Sequence, residues 1–152
     1  MQTIKHTLNK KERGFTLIEL LVVIAIIAVL AALILAALSS AQKGSRDSRR
    51  QSDLNQYKTA LAQYSGDSNG NYPGSTTQAS AVTALAALTP TYMSQLPDDP
   101  KTAGSYRYIT DASPGTNYGI CVTLERDTAS MFAVGPTYSG KKTNAATCVV
   151  QG

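Results

Sequence analysis

Glu19 is a carboxylate set near the start of a long apolar run, Phe15 to Leu38, in which Thr16 is the one other polar side chain. An acidic residue deep in a spanning helix costs about 2.5 to 3.5 kcal/mol, and less near the helix end. Such a glutamate either stays wet beside the headgroups or meets a positive charge. The other reactive side chains are few. His6 is the sole imidazole and lies in the first 14 residues, and Cys121 and Cys148 are the only cysteines. Without His6 the chain has no imidazole for proton transfer or metal ligation, and no nucleophile stands at a defensible spacing from a base. The chain therefore reads as a non-enzyme, with no cofactor, no catalytic residue and no metal set.

The element that must position Glu19 is the apolar run itself. At about 1.5 Å per residue it reaches roughly 36 Å, enough to cross a hydrocarbon core of about 30 Å with some tilt. Leu, Ile, Val and Ala fill it, and the first glycine after Phe15 is Gly44, so nothing interrupts a helix earlier. Three readings compete for it. A secretory signal peptide would use Ser39-Ser40-Ala41 as small residues at a cleavage site, but the run exceeds the usual apolar core of such signals. A plain single-pass anchor accounts for length and hydropathy. The third reading has also to account for Glu19.

Charge narrows the partners. Of the net +4, the first 14 residues supply +3, with Lys5, Lys10, Lys11 and Arg13 set against Glu12. The rest of the chain is close to neutral, so the basic pI reports a short leader and nucleic acid is not an expected partner. Lys43, Arg46, Arg49 and Arg50 follow the apolar run and bring the positive-inside comparison close to a tie.

Beyond Leu38 the sequence is polar but periodic. Leu54, Tyr57, Leu61 and Tyr64 recur at spacings of 3, 4 and 3, which predicts a helix continuing to Tyr64 with that stripe against a core. Gly44-Ser45 is its expected weak point. Arg46, Asp47, Arg49, Arg50 and Asp53 are expected at a solvated surface. Gly66 to Gly74 is dense in turn formers and ends the helix. Asp67, Asn69 and Asn71 mimic a calcium loop, but Tyr72 and Gln78 stand where such a loop needs glycine and glutamate. Ala79 to Leu88 is predicted as a short helix. Strands are predicted around Tyr106 to Tyr108, from Tyr118 to Leu124 and from Met131 to Val134, with linkers short enough to require an antiparallel sheet. The fold class is α+β.

Lys10-Lys11-Glu12-Arg13-Gly14-Phe15-Thr16-Leu17-Ile18-Glu19-Leu20-Leu21-Val22-Val23 resembles the class III signal of type IV pilins and type II secretion pseudopilins. The resemblance implies a prepilin peptidase that cuts between Gly14 and Phe15 on the cytoplasmic side and N-methylates Phe15. It implies that the apolar helix is then kept, first in membrane lipid and later in the core of a homo-oligomeric filament built on a pilus or secretion assembly platform. Glu19 matches the glutamate held to pair with the amino terminus of a neighbouring subunit. The implied fold is pilin-like, a long N-terminal helix whose second half packs on a small antiparallel β-sheet. The implied parts are a leader at 1–14, a membrane and filament-core helix at 15–38, an amphipathic continuation at 39–64, and a globular region at 65–152. The amino terminus would lie inside and the globular region outside, the filament being extracellular or periplasmic.

Later segments extend the likeness and mark its departures. Leu96-Pro97-Asp98-Asp99-Pro100 and Tyr106-Arg107-Tyr108 resemble a stretch of the major pseudopilin, and Asp98 and Asp99 are expected to do no more than form the turn. Gly135-Pro136-Thr137-Tyr138-Ser139-Gly140 is similar to the loop that leads into a calcium site there, but Thr137 stands where the family has aspartate and Lys141-Lys142 follow. Many members carry a proline near the end of the apolar half, where this chain has Ala36. Pilins often staple their carboxyl-terminal region, which implies a Cys121–Cys148 disulfide outside the cytoplasm, worth about 3 to 4 kcal/mol. A DNA-uptake pilin, for which Lys141, Lys142 and Arg107 are sparse, and a tethered binding or enzymatic domain on an uncleaved anchor are the alternatives.

Overall fold

The computed structural model describes residues 14–136, 139–142 and 148. The basic leader with His6, and Thr137 and Tyr138 of the glycine-proline loop, lie outside the described residues. One helix, α1, runs Leu17–Asp67, followed by β1 (Ala79–Ser80), α2 (Ala81–Ala84), a single 3₁₀ turn (Ala86–Leu88), β2 (Arg107–Thr110), β3 (Tyr118–Thr123), β4 (Met131–Val134) and β5 (Ser139–Lys142). The arrangement is α+β. By contacts the chain divides into two compact units, Met1–Ser39 and Ser40–Gly152.

Among the described residues of the first unit, the large apolar side chains of α1 are all exposed. Phe15 is 85% exposed, and even the most covered large residue, Val23, is 47% exposed. The helix is long and apolar enough to cross a membrane, and a helix apolar all round is stable only in lipid or in a bundle of its own kind.

In the second unit the helical stripe becomes a core face. Leu54, Tyr57 and Leu61 are fully buried and Tyr64 is partly buried against the same cluster. The sheet is an antiparallel meander in the order β1-β2-β3-β4-β5. Alternation along the strands sends Tyr108, Tyr118, Ile120, Val122, Phe132 and Val134 into the main core. Cys121, Met131 and Ala133 point the other way and form a second cluster with Cys148. Strand β3 is buried on both faces for that reason, with only Thr123 exposed.

Three expectations about elements are corrected. The helix does not weaken at Gly44-Ser45, because α1 is continuous there. It ends at Asp67 rather than Tyr64, where Asn69 and Gly70 take φ of 54° and 82° and the Gly70 N–H returns to the Ser65 carbonyl at 2.9 Å. Ala79 to Leu88 is not one helix: Ala79 and Ser80 pair with Tyr108 and Arg107 as an edge strand, leaving only short helical turns behind them. Sheet pairing outcompetes a helix too short to nucleate well.

Candidate functional site

The first candidate site opens α1. Thr16 precedes the first helical residue and Glu19 is the third, the Thr-x-x-Glu spacing of a capping box. The Glu19 carboxylate accepts the Thr16 backbone N–H at 2.8 Å and the Thr16 hydroxyl at 2.7 Å, while that hydroxyl accepts the Glu19 N–H at 3.3 Å. In the sequence reading Glu19 had no local partner. The signal that could have found one was on view, since Thr16 and Glu19 stand at cap spacing before an apolar run. The cap holds the carboxylate beside the peptide nitrogen that follows Phe15. A carboxylate has about four lone-pair positions, so two bonds from Thr16 leave capacity for a further donor.

The second candidate lies in the other unit and joins helix to sheet through charge. Arg50 of α1 donates through Nε and Nη2 to Asp99, the latter at 3.0 Å, through Nη1 to Asp47 at 2.8 Å, and approaches Glu125 at 2.8 Å. Arg46 holds Glu125 with two bonds of 2.8 Å. Asp47 accepts the backbone N–H groups of Glu125 and Arg126 at 2.8 and 3.0 Å. Asp99 also accepts the Lys101 and Thr102 N–H groups at 2.8 Å. One turn on, the Tyr106 hydroxyl donates to Asp53 at 2.7 Å.

Titration follows from this wiring. Burial opposes ionisation of Asp47 and Asp99, yet the N–H donors and Arg50 prevail and hold both carboxyls below the usual range. Arg46, seconded by Arg50 and Lys101, holds the Glu125 carboxyl well below the usual range. Hydrogen bonding to Asp99 keeps Arg50 charged against the opposing effect of burial. Burial first, and then Asp53, push the Tyr106 hydroxyl well above its ordinary value, so it serves as a neutral donor.

Asp47, Arg50 and Asp53 are buried, which corrects the expectation that they are solvated; Arg49 remains exposed. Asp99 forms its turn but also pairs with Arg50, so turn formation is not its whole role. Periodicity held a clue, because Asp47 and Arg50 continue the Leu54, Tyr57, Leu61 stripe backward at spacings of 3 and 4. Their partners at Asp99 and Glu125 had no local signal. Cys121 and Cys148 are joined by a disulfide with their Cα atoms 6.0 Å apart. Gly14 and Phe15 stand just ahead of the cap, and no cluster of metal-ligating side chains occurs among the described residues.

Residues 9–35 match the family model of the prokaryotic N-terminal methylation motif. The chain carries the class III signal of type IV pilins. The match spans Gly14, Phe15 and Glu19 and supports the pilin family that the leader resembles. No curated protein and no solved structure matches the chain.

Proposed function

We propose that this protein is the precursor of a filament subunit, a prepilin of a type IV pilus or a type II secretion pseudopilus. In this reading a prepilin peptidase cuts between Gly14 and Phe15 and methylates the new amino group of Phe15. The mature chain waits in the cytoplasmic membrane with its globular unit outside, then leaves lipid for the core of a filament of its own copies. The observation that carries the reading is the methylation motif at residues 9–35 leading into an apolar helix whose large side chains, from Leu17 to Leu38, are exposed.

Cleavage would place an α-ammonium in an apolar setting, where a lone charge is costly. Glu19 of a neighbouring copy supplies the opposite sign. A buried pair of this kind contributes register more surely than net stability, and register is what featureless apolar helices lack. The Thr16 cap supports this role by holding the carboxylate at the helix entrance. The decisive experiment is the intact mass and amino-terminal sequence of the protein isolated from its native host. N-methylated Phe15 in polymeric material is the expected result; a chain that begins at Met1 and never polymerises overturns the proposal in favour of a tethered domain.

A further inference from the structure

The second unit contains a recess of about 580 Å³. Its lining brings together Lys43 of α1, Lys101 of the loop after Asp99, and Arg107 of β2, three exposed cations from separate parts of the chain. Thr102, Ser105 and Thr128 add hydroxyls. The Cys121–Cys148 disulfide is part of the wall, and Gln78 Nε2 donates to the Cys148 carbonyl at 3.0 Å, so the chain bearing Cys148 is tied down beside Arg107 from two sides.

The two carboxylates at the recess are already committed. Asp99 is taken by Arg50 and two backbone N–H groups, and Glu125 by Arg46 and Arg50. Lys101 reaches Glu125 only at 3.4 Å with most of its side chain in solvent, and neither Lys43 nor Arg107 has an ion-pair partner among the described residues. Counting Arg50, the lining holds four cations against two carboxylates among the described residues. With the two carboxylates engaged, the surplus at the recess is positive, and such a field concentrates anionic ligands. The lining has no aromatic ring among its described residues, so stacking does not select the ligand and charge with hydroxyl hydrogen bonding does. A volume of this order suits a ligand larger than a bare oxyanion.

We infer that this recess binds an acidic sugar, a carboxylate or phosphate carried on a hydroxyl-bearing ring. The anion meets Arg107 and Lys43, and the ring hydroxyls meet Thr102, Ser105 and Thr128. The inference does not depend on the filament reading, because binding needs only the second unit of a single chain.

The test is calorimetric titration of the full-length chain in detergent, at low salt where exposed charges are least screened, with glucuronate, glucose 6-phosphate, glucose and inorganic phosphate. Both acidic sugars are expected to bind with Kd on the order of 1 mM, and glucose and inorganic phosphate at least about tenfold more weakly. R107Q is expected to weaken both acidic sugars about tenfold, the size of one charge-assisted hydrogen bond, while R49Q, which neutralises a cation outside the recess, leaves them unchanged. K43Q gives a second reading should R107Q disturb the fold, which near-ultraviolet tyrosine dichroism reports. Failure of both acidic sugars to bind, equal binding of glucose, equal binding of inorganic phosphate, or equal losses in R49Q and R107Q overturns the inference. Carboxylate and phosphate arms separate a uronate from a sugar phosphate as the natural ligand.

Discussion

Replacing Arg50 with methionine removes the charge at the centre of the helix-to-sheet junction while keeping much of the side chain's bulk. The Arg50 side chain is 4% exposed and that of Asp99 is 2%, so the variant leaves a buried carboxylate without its counter-ion. Breaking such a pair from one side costs about 3 to 5 kcal/mol. The lower end applies here, about 3 kcal/mol, because Asp99 keeps the Lys101 and Thr102 N–H groups and Asp47 keeps those of Glu125 and Arg126. The loss also has a pH signature. In the parent, the folded pKa values of Asp47 and Asp99 lie below their unfolded values; their contribution is present above the ordinary carboxylate range and fades as pH falls through the folded values. Without Arg50 the raising effect of burial meets less opposition, so the deficit is largest at neutral pH and narrows below about pH 4. Urea unfolding of the full-length chain in detergent, followed by near-ultraviolet dichroism, reads the second unit alone, since all eight tyrosines lie between Tyr57 and Tyr138 and there is no tryptophan. A deficit under about 1 kcal/mol at pH 7, or one that does not change with pH, would refute the assignment of the junction to buried charge. The double variant R50M/D99L is expected to recover only part of the loss: it removes the unpaired Asp99 carboxylate, but Asp47 still lacks Arg50 and the Lys101 and Thr102 N–H groups lose their acceptor.

Three further outcomes are expected. Glu19→Ala should leave membrane insertion and leader cleavage intact and abolish filament assembly, read by the amino-terminal sequence and by polymer yield; normal polymer yield would exclude the role proposed for Glu19. Thr16→Val removes the hydroxyl half of the cap at a cost of about 1 kcal/mol in helix stability, so helicity near residue 16 should fray measurably in hydrogen exchange while Glu19 remains available for assembly. Alkylation without reductant should add nothing to the mass, and the C121A/C148A variant should lose about 3 to 4 kcal/mol by the same urea assay; uptake of two alkyl groups would show that the protein in solution is not bridged.

Much of this protein is legible because its strongest signals are local. An apolar run of bilayer length declares its own helix and its need for lipid or for copies of itself, since hydropathy and helical rise require no partner elsewhere in the chain. The Leu54, Tyr57, Leu61 stripe shows which side of α1 meets a core, whereas the Thr16–Glu19 cap, though local, emerged only with the structure. Strand β4 is found at Met131–Val134, where a short strand is expected, and β3 begins at Tyr118 as expected, because period-two patterning beside turn formers survives into the folded sheet. Tertiary structure decided the rest. Ala79 and Ser80 are a strand only because β2 offers an open edge to pair with. Asp47, Arg50 and Asp53 read as surface in one dimension because charge alone predicts solvation; they are buried because Asp99, Glu125 and Tyr106, 49, 79 and 53 residues away from Arg50, Arg46 and Asp53, close over them with matching donors and acceptors. The recess at Lys43, Lys101 and Arg107 has the same origin, since three cations spread along the chain acquire a shared field only when the fold brings them to one recess.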